Sequence, residues 1–458
     1  PLNVDINLKG VEYLHLLVND GGNGIGFDHA DWADAAIHYT GKKPEVIVYQ
    51  TPEQIELNKP ATYMPNFSTA GFFQTDAQIR EAANFNIGWR FMKGDHPGAE
   101  KPDFNDSSWE LVNTPHGLEL VPPDASGCVN YQGPAWYRKK FRADKDWKNR
   151  KVFIHFESIM GRSSIYINGK LIQEQFGGYL PVHLDITGEI DFEKENVIAV
   201  RADNSDDPIY PPGKPQGTLD FVYFGGIYRD VFLVTTGKVY ITNPNAVDKT
   251  AGGGVFVHFE NLSEKQVSVS VNTDIRNESD KDIQTSLELK LIDQSNETVG
   301  KSVQSLLLKA GHDAVSKQEL TVKKPHLWHV DDPYLHRLFV TLKDGNGKAL
   351  DTFYCRVGIR KFEFRGPEGF FLNNKPFNDK LIGGNRHQDF ACLGNAVPNT
   401  LQWRDAQKLR NASMRIIRSA HYPMDPAFMD ACDELGLFVI VATPGWQFWN
   451  EAPVFRER

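Results

Sequence analysis

Long hydrophobic runs are missing from this chain. No stretch of about eighteen apolar residues exists to cross a bilayer, and the mean hydropathy is -0.43. Cysteine is scarce. The four, Cys128, Cys355, Cys392 and Cys432, are widely spaced with no CxxC, which excludes a zinc-finger framework and a disulfide scaffold and leaves them as core or incidental thiols. There is no basic stripe, and the net charge of -9 argues against nucleic acid as a partner. The opening, PLNVDINL, has neither a basic nor an apolar segment of the signal-peptide kind, so it favours a cytoplasmic protein or one whose start has been removed. At 458 residues about three domains are expected, with four allowed.

The richest stretch runs from Leu381 to Trp449 and reads strand, helix, strand, helix, strand. The second helix is the clearest. Asp425 suits its N-cap, Pro426 its first turn, and Phe428, Ala431, Cys432 and Leu435 fall on one face before Gly436 at the C-cap. Leu437 to Ala442 is an unbroken apolar run, as expected of a parallel strand buried on both faces, and Met414 to Arg418 is its shorter partner. The helix at 401–412, capped by Asn399 or Thr400, turns Trp403, Ala406 and Leu409 to one side. The βαβαβ order implies a parallel sheet or barrel, whose chemistry gathers where strands end.

Those ends carry Asn385, Arg386, His387, Gln388 and Asp389, then Arg418, His421 and Tyr422, then Trp446, Phe448 and Trp449. Cations, imidazoles and aromatic rings together suit a ligand with many hydroxyls and flat apolar faces, which means a sugar. Either histidine alone would ordinarily be a structural residue; both at consecutive strand ends beside Arg418 point to a site.

Upstream, residues 1–39 give the strand VEYLHLLV, a loop with Gly21, Gly22, Gly24 and Gly26, and a second strand from Ala35 to Tyr39. The glycine spacing is not that of a phosphate loop. A Ca²⁺ site on Asp20, Asp28 or Asp31 and a plain hairpin-like turn both remain open. Residues 40–82 read as a packed linker. From Asn84 to about Gly237 short alternating runs (AWYRKKFRA, KVFIHFES, SSIYINGKLI, VIAVRADN) separated by turns such as Asn168-Gly169 predict a jelly-roll sandwich. The runs within 238–357 predict an immunoglobulin-like sandwich without its cysteine pair. Asn261-Leu-Ser and Asn277-Glu-Ser match the glycosylation sequon, which matters only in a eukaryotic secreted protein.

Two resemblances sharpen this reading. The segment DGGNGIGFDHADWADA between its strands resembles the closing quarter of a carbohydrate-binding module attached to many glycosidases. From about residue 84 onward, GWRF, FNDSSWELVNTPH, WYRKKF, INGK, FGGIYRDV, PHLWHVDDPYLHRL, VGIRKFEF, GGNRHQD, IRSAHYP and DELGLFV resemble glycoside hydrolase family two, which includes β-galactosidases, β-glucuronidases and β-mannosidases. The implied architecture is the end of a carbohydrate-binding-module-like sandwich (1–45), a linker (46–82), a sugar-binding jelly roll (83–237), an immunoglobulin-like sandwich (238–357) and about three strands of a TIM (β/α)8 barrel (358–458).

The resemblance implies a retaining, exo-acting β-glycosidase, most like a β-galactosidase, that removes terminal β-linked sugars from oligo- or polysaccharides. Such enzymes use two glutamates, one as nucleophile and one as acid and base. The family places the acid/base after an Asn on the fourth barrel strand and the nucleophile later, so both are expected beyond Arg458 and this chain alone is expected to be inactive. Asn450-Glu451 spells the family's pair but falls too early, in the loop after the third strand. The resemblance assigns His387 and His421 to sugar hydroxyls, Asp220 to a hydroxyl contact from the sandwich, and Arg418 to holding the nucleophile's carboxylate. Trp446 and Trp449 either stack on a sugar ring or cap the barrel. No cofactor is implied: Thr443 to Asn450 offers no carboxylate for the Mg²⁺ that some members hold. Galactose is favoured by its frequency in the family and by Asp220, with glucuronic acid and mannose open. Periplasmic or secreted location, an oligo- or polysaccharide partner and a homo-oligomer fit the same reading. The competing reading is a non-catalytic carbohydrate-binding scaffold with a degenerate barrel.

Overall fold

The structure, a computed structural model, describes residues 79–458 apart from 123–129, 212, 220, 445–447 and 449. Asp220, Trp446, Trp449, Cys128, the whole glycine-rich segment with its acids, and most of the 46–82 stretch therefore lie outside the described residues.

The first sandwich packs two antiparallel sheets. One has six strands in the order Glu110–Val112, Trp89–Lys93, Pro134–Arg142, Glu195–Asp203, Arg162–Ile167, Lys170–Gln175; the other has four, Glu81–Asn84, Val231–Thr236, Lys151–Phe156, Val182–Asp185. Their inner faces bury Trp89, Phe91, Ile154, Phe156, Ile165, Ile198 and Val200 in one core. The Asn168-Gly169 turn takes φ of 51° and 86°, the left-handed pair that a two-residue hairpin needs.

The second sandwich shows alternating burial most clearly in one strand. In Asp313–Lys323 every second residue from Ser316 onward is buried, and Leu287, Leu289 and Leu291 meet Val267, Val269, Leu338 and Val340 in its core. Its tie to the first sandwich is covalent in sequence and ionic in space. Arg80 is buried and grips Asp351 in a two-pronged ion pair (Nη2–Oδ2 2.6 Å, Nε–Oδ1 3.1 Å), while the same carboxylate accepts the Ile241 amide at 2.7 Å.

The last hundred residues give a parallel sheet of Gly383–Arg386, Ile416–Ser419 and Phe438–Val441, with Arg386 opposite Ser419 and Ser419 opposite Val441. The helices Asn399–Asn411 and Pro426–Leu435 connect the strands. The second helix is built as its sequence dictates. Asp425 accepts from the Ala427 amide, Pro426 opens it, and Gly436 closes it in the left-handed region. Two expectations are corrected. The first helix is preceded by Pro398, with no side-chain cap, because Asn399 sends its amide to Asp230 of the jelly roll instead (2.9 Å). The third strand is not buried on both faces: Ile440 and Val441 are each 52% exposed, since among the described residues that strand pairs only with Ile416–Ser419. No described helix is long and apolar enough to cross a membrane.

Candidate functional site

Parallel pairing places His387 one residue past the first strand and His421 two residues past the second, so both imidazoles come off the same end of the sheet. Their ring centres are 5.3 Å apart at 82°. Beneath them lies Phe221 of the jelly roll, 5.6 Å from the His387 ring, 5.5 Å from His421 and 5.8 Å from Tyr422. Tyr422 is buried and stacks flat on Tyr179, also from the jelly roll, at 4.4 Å and 9°. Its hydroxyl is 3.4 Å from His387 Nδ1, and burial foremost, with Asp389 nearby, raises its pKa above the ordinary phenol range, so it stays protonated.

Arg418 Nη1 donates to His421 Nδ1 at 2.9 Å. A guanidinium has no acceptor, so Nδ1 must be the bare nitrogen and the neutral ring carries its proton on Nε2. The ring is thereby set as a donor on its other edge. Arg386 plays a different part. Its guanidinium joins Asp405 and Gln402 on the first helix and lies 4.0 Å over the Phe428 ring on the second, so it braces the sheet against both helices.

A buried ionic layer sits behind this shelf. Arg229 of the jelly roll bonds Gln388 Oε1 and the Pro423 carbonyl, both at 2.8 Å, and lies 3.9 Å from Asp425. Asp230, next in sequence, accepts from Asn86 and from Asn399, each at 2.9 Å. Burial, with Asp425 nearby, pushes Asp230 up to about 6. Glu157 is raised well above its ordinary value, by burial first and then by Asp230 and Asp425.

Of the residues singled out from sequence, His387, His421, Arg418 and Tyr422 are brought together, whereas Asp220, Trp446 and Trp449 lie outside the described residues. Glu451 is exposed and pairs with Arg456. Phe221, Tyr179 and Arg229 escape sequence reasoning. FGGIYRDV contains Arg229, but nothing local says that it reaches across a domain boundary. Elsewhere, a cavity of about 230 Å³ opens between the two sandwiches, lined by Arg80, His183, Tyr240, Arg276 and Glu278. Its ions are matched internally: Arg80 by Asp351, Arg276 by Asp313, and Glu278 by Lys151 and the Tyr240 hydroxyl. Among the described residues no three His, Cys, Asp or Glu side chains are grouped to hold a metal ion.

Two β-sandwiches are followed by parallel βα units, with polar side chains converging at the strand ends. The chain belongs to glycosyl hydrolases family 2: its sugar-binding domain matches residues 111–237, its central domain 254–360 and its TIM barrel domain 363–452. Residues 1–38 match an NPCBM/NEW2 domain. A β-galactosidase of Thermoanaerobacter pseudethanolicus is 34% identical over 372 residues, 80% of this chain and 47% of the relative. A β-glucuronidase of Formosa agariphila is 30% identical, over 79% of this chain and 38% of its own length. The crystal structure of a Bacteroides uniformis β-glucuronidase superposes with a TM-score of 0.75 at 30% identity, covering 82% of this chain and 44% of that one. The chain thus spans under half the length of these relatives.

Proposed function

We propose that this chain forms the sugar-recognising part of an exo-acting, retaining β-glycosidase of the β-galactosidase kind. The observation that carries the reading is the pair of imidazoles 5.3 Å apart on a Phe221 floor, one of them hydrogen-bonded by Arg418. An apolar floor with donors at its edge suits a pyranose, which presents C–H groups on its faces and hydroxyls around its rim. Arg418 Nη1 is engaged by His421, and a planar guanidinium with several donors can also orient a carboxylate nucleophile. The two glutamates of a retaining mechanism, about 5–5.5 Å apart, belong in this reading outside these 458 residues; the surface pairing of Glu451 with Arg456 supports that. Relatives named as galactosidases and as glucuronidases do not separate the two sugars; galactose is favoured by its frequency in the family and by Asp220, and the NPCBM match supports polymeric glycan as substrate and a periplasmic or secreted location.

The test is direct. Calorimetric titration of the 458-residue chain with galactose, glucuronic acid and mannose is expected to show galactose binding that His387→Ala or His421→Ala abolishes. Hydrolysis of a chromogenic β-galactoside is expected only from a longer protein carrying the remaining barrel units. Turnover by the present chain would overturn the placement of the glutamates, and glycan binding without turnover by the longer protein would favour a non-catalytic carbohydrate-binding scaffold.

A further inference from the structure

Arg229 is 2% exposed and belongs to the jelly roll, yet its Nη2 donates into the barrel segment. That one nitrogen reaches Gln388 Oε1, on the residue after His387, and the carbonyl of Pro423, two residues after His421. Nη1 reaches back to the Tyr179 carbonyl at 3.5 Å, beside the ring on which Tyr422 stacks. Nε faces Asp425, the cap of the second helix, at 3.9 Å. The guanidinium therefore stands where the first strand's loop, the second strand's loop and the jelly-roll wall meet.

We propose that Arg229 is a positioning residue of the sugar site, a pin from the sugar-binding domain that fixes the spacing and tilt of His387 and His421 by holding the loop behind each. The planar fork suits this role because its donors diverge at fixed angles, whereas an ammonium on a flexible stem fixes no angle between two acceptors. The surroundings are rich in acids. Asp425 and Glu157 face Arg229, with Asp230 next to Glu157, so removing the guanidinium leaves carboxyls facing one another. The pin rests on the reading of His387 and His421 as sugar contacts only for its effect on binding; its effect on the rings stands without it.

The experiment uses the whole chain with ¹⁵N-labelled histidine, in wild type and Arg229→Lys, with circular dichroism to confirm folding. The pin requires the ring resonances of His387 and His421 to move while those of His312, in the turn between Thr298–Leu308 and Asp313–Lys323 of the second sandwich, stay in place, and galactose affinity to fall roughly tenfold, the worth of about one hydrogen bond. A folded Arg229→Lys protein whose His387 and His421 resonances overlay the wild type would overturn the pin. Should Arg229→Lys fail to fold, Gln388→Met removes one acceptor and keeps the cation; the pin then requires the His387 resonances to move while those of His421, still held through Pro423, stay in place, and an unmoved His387 overturns it. A wild-type chain that binds no sugar sinks the sugar reading, while the ring resonances still judge the pin.

Discussion

Arg418 Nη1 lies 2.9 Å from His421 Nδ1, and this contact decides which edge of the imidazole carries a proton. Replacing Arg418 with Gln offers an amide that can turn either its oxygen or its nitrogen toward Nδ1. The His421 tautomer is expected to become mixed, visible in ¹⁵N ring shifts, and galactose affinity to fall about tenfold. Unchanged ring shifts would show that other contacts hold the tautomer.

Tyr179 gives a sharper contrast. Its ring is buried against Tyr422, but among the described residues its hydroxyl meets no hydrogen-bond partner. Tyr179→Phe is expected to raise stability by about 1 kcal/mol or more, because it deletes an unsatisfied buried group. Tyr179→Ala is expected to lower it by roughly 3–5 kcal/mol through the cavity left under Tyr422. Urea denaturation of both variants checks the pair; a destabilised Phe variant would mean that the hydroxyl has a partner.

Gly436 ends the second helix at φ 74°, and a Cβ there would stand 2.1 Å from the Val330 carbonyl oxygen. Gly436→Ala combines roughly 1–2 kcal/mol of left-handed strain with that clash. The expected result is a clear drop in the unfolding midpoint, whereas Gly217→Ala, where added atoms meet open space, is expected to change little.

The pH dependence follows from Asp230. Its folded pKa of about 6 exceeds the ordinary 3.8. The folded state therefore binds this proton more tightly, and the contribution is fully present below the unfolded value and is lost as pH rises through about 6. At most about 3 kcal/mol is involved. Melting temperatures from pH 4 to 8 are expected to fall across this window in wild type and to fall less steeply in Asp230→Asn, where the raised Glu157 and Asp425 still contribute; parallel curves would reject the assignment.

How much of the fold and the site is legible in the sequence depends on how local the cause is. The second helix announces both ends, since Asp425, Pro426 and Gly436 act on their immediate neighbours. The Asn168-Gly169 hairpin and the juxtaposition of His387 with His421 are also readable, because parallel strands put successive loops side by side. Asn399 mimics a cap in the sequence, but its true partner, Asp230, is 169 positions away. Phe221 and Tyr179 look like ordinary sandwich residues until the barrel segment is laid on them. Ile440 and Val441 read as fully buried because an apolar run reports what a strand can hide and not what is there to cover it.

The grip of Arg80 on Asp351 bears on anyone who would cut this chain into parts. A fragment trimmed to start at 83, or at the matched boundary of 111, discards the guanidinium that neutralises a carboxylate with no contact with solvent. The cost of stranding such a charge is roughly 3–5 kcal/mol, and it falls on the second sandwich, not on the one that was trimmed. Expression boundaries drawn from recognisable motifs would thus weaken a neighbour that was left whole, and a soluble immunoglobulin-like piece should keep Arg80 or replace Asp351 with an uncharged residue.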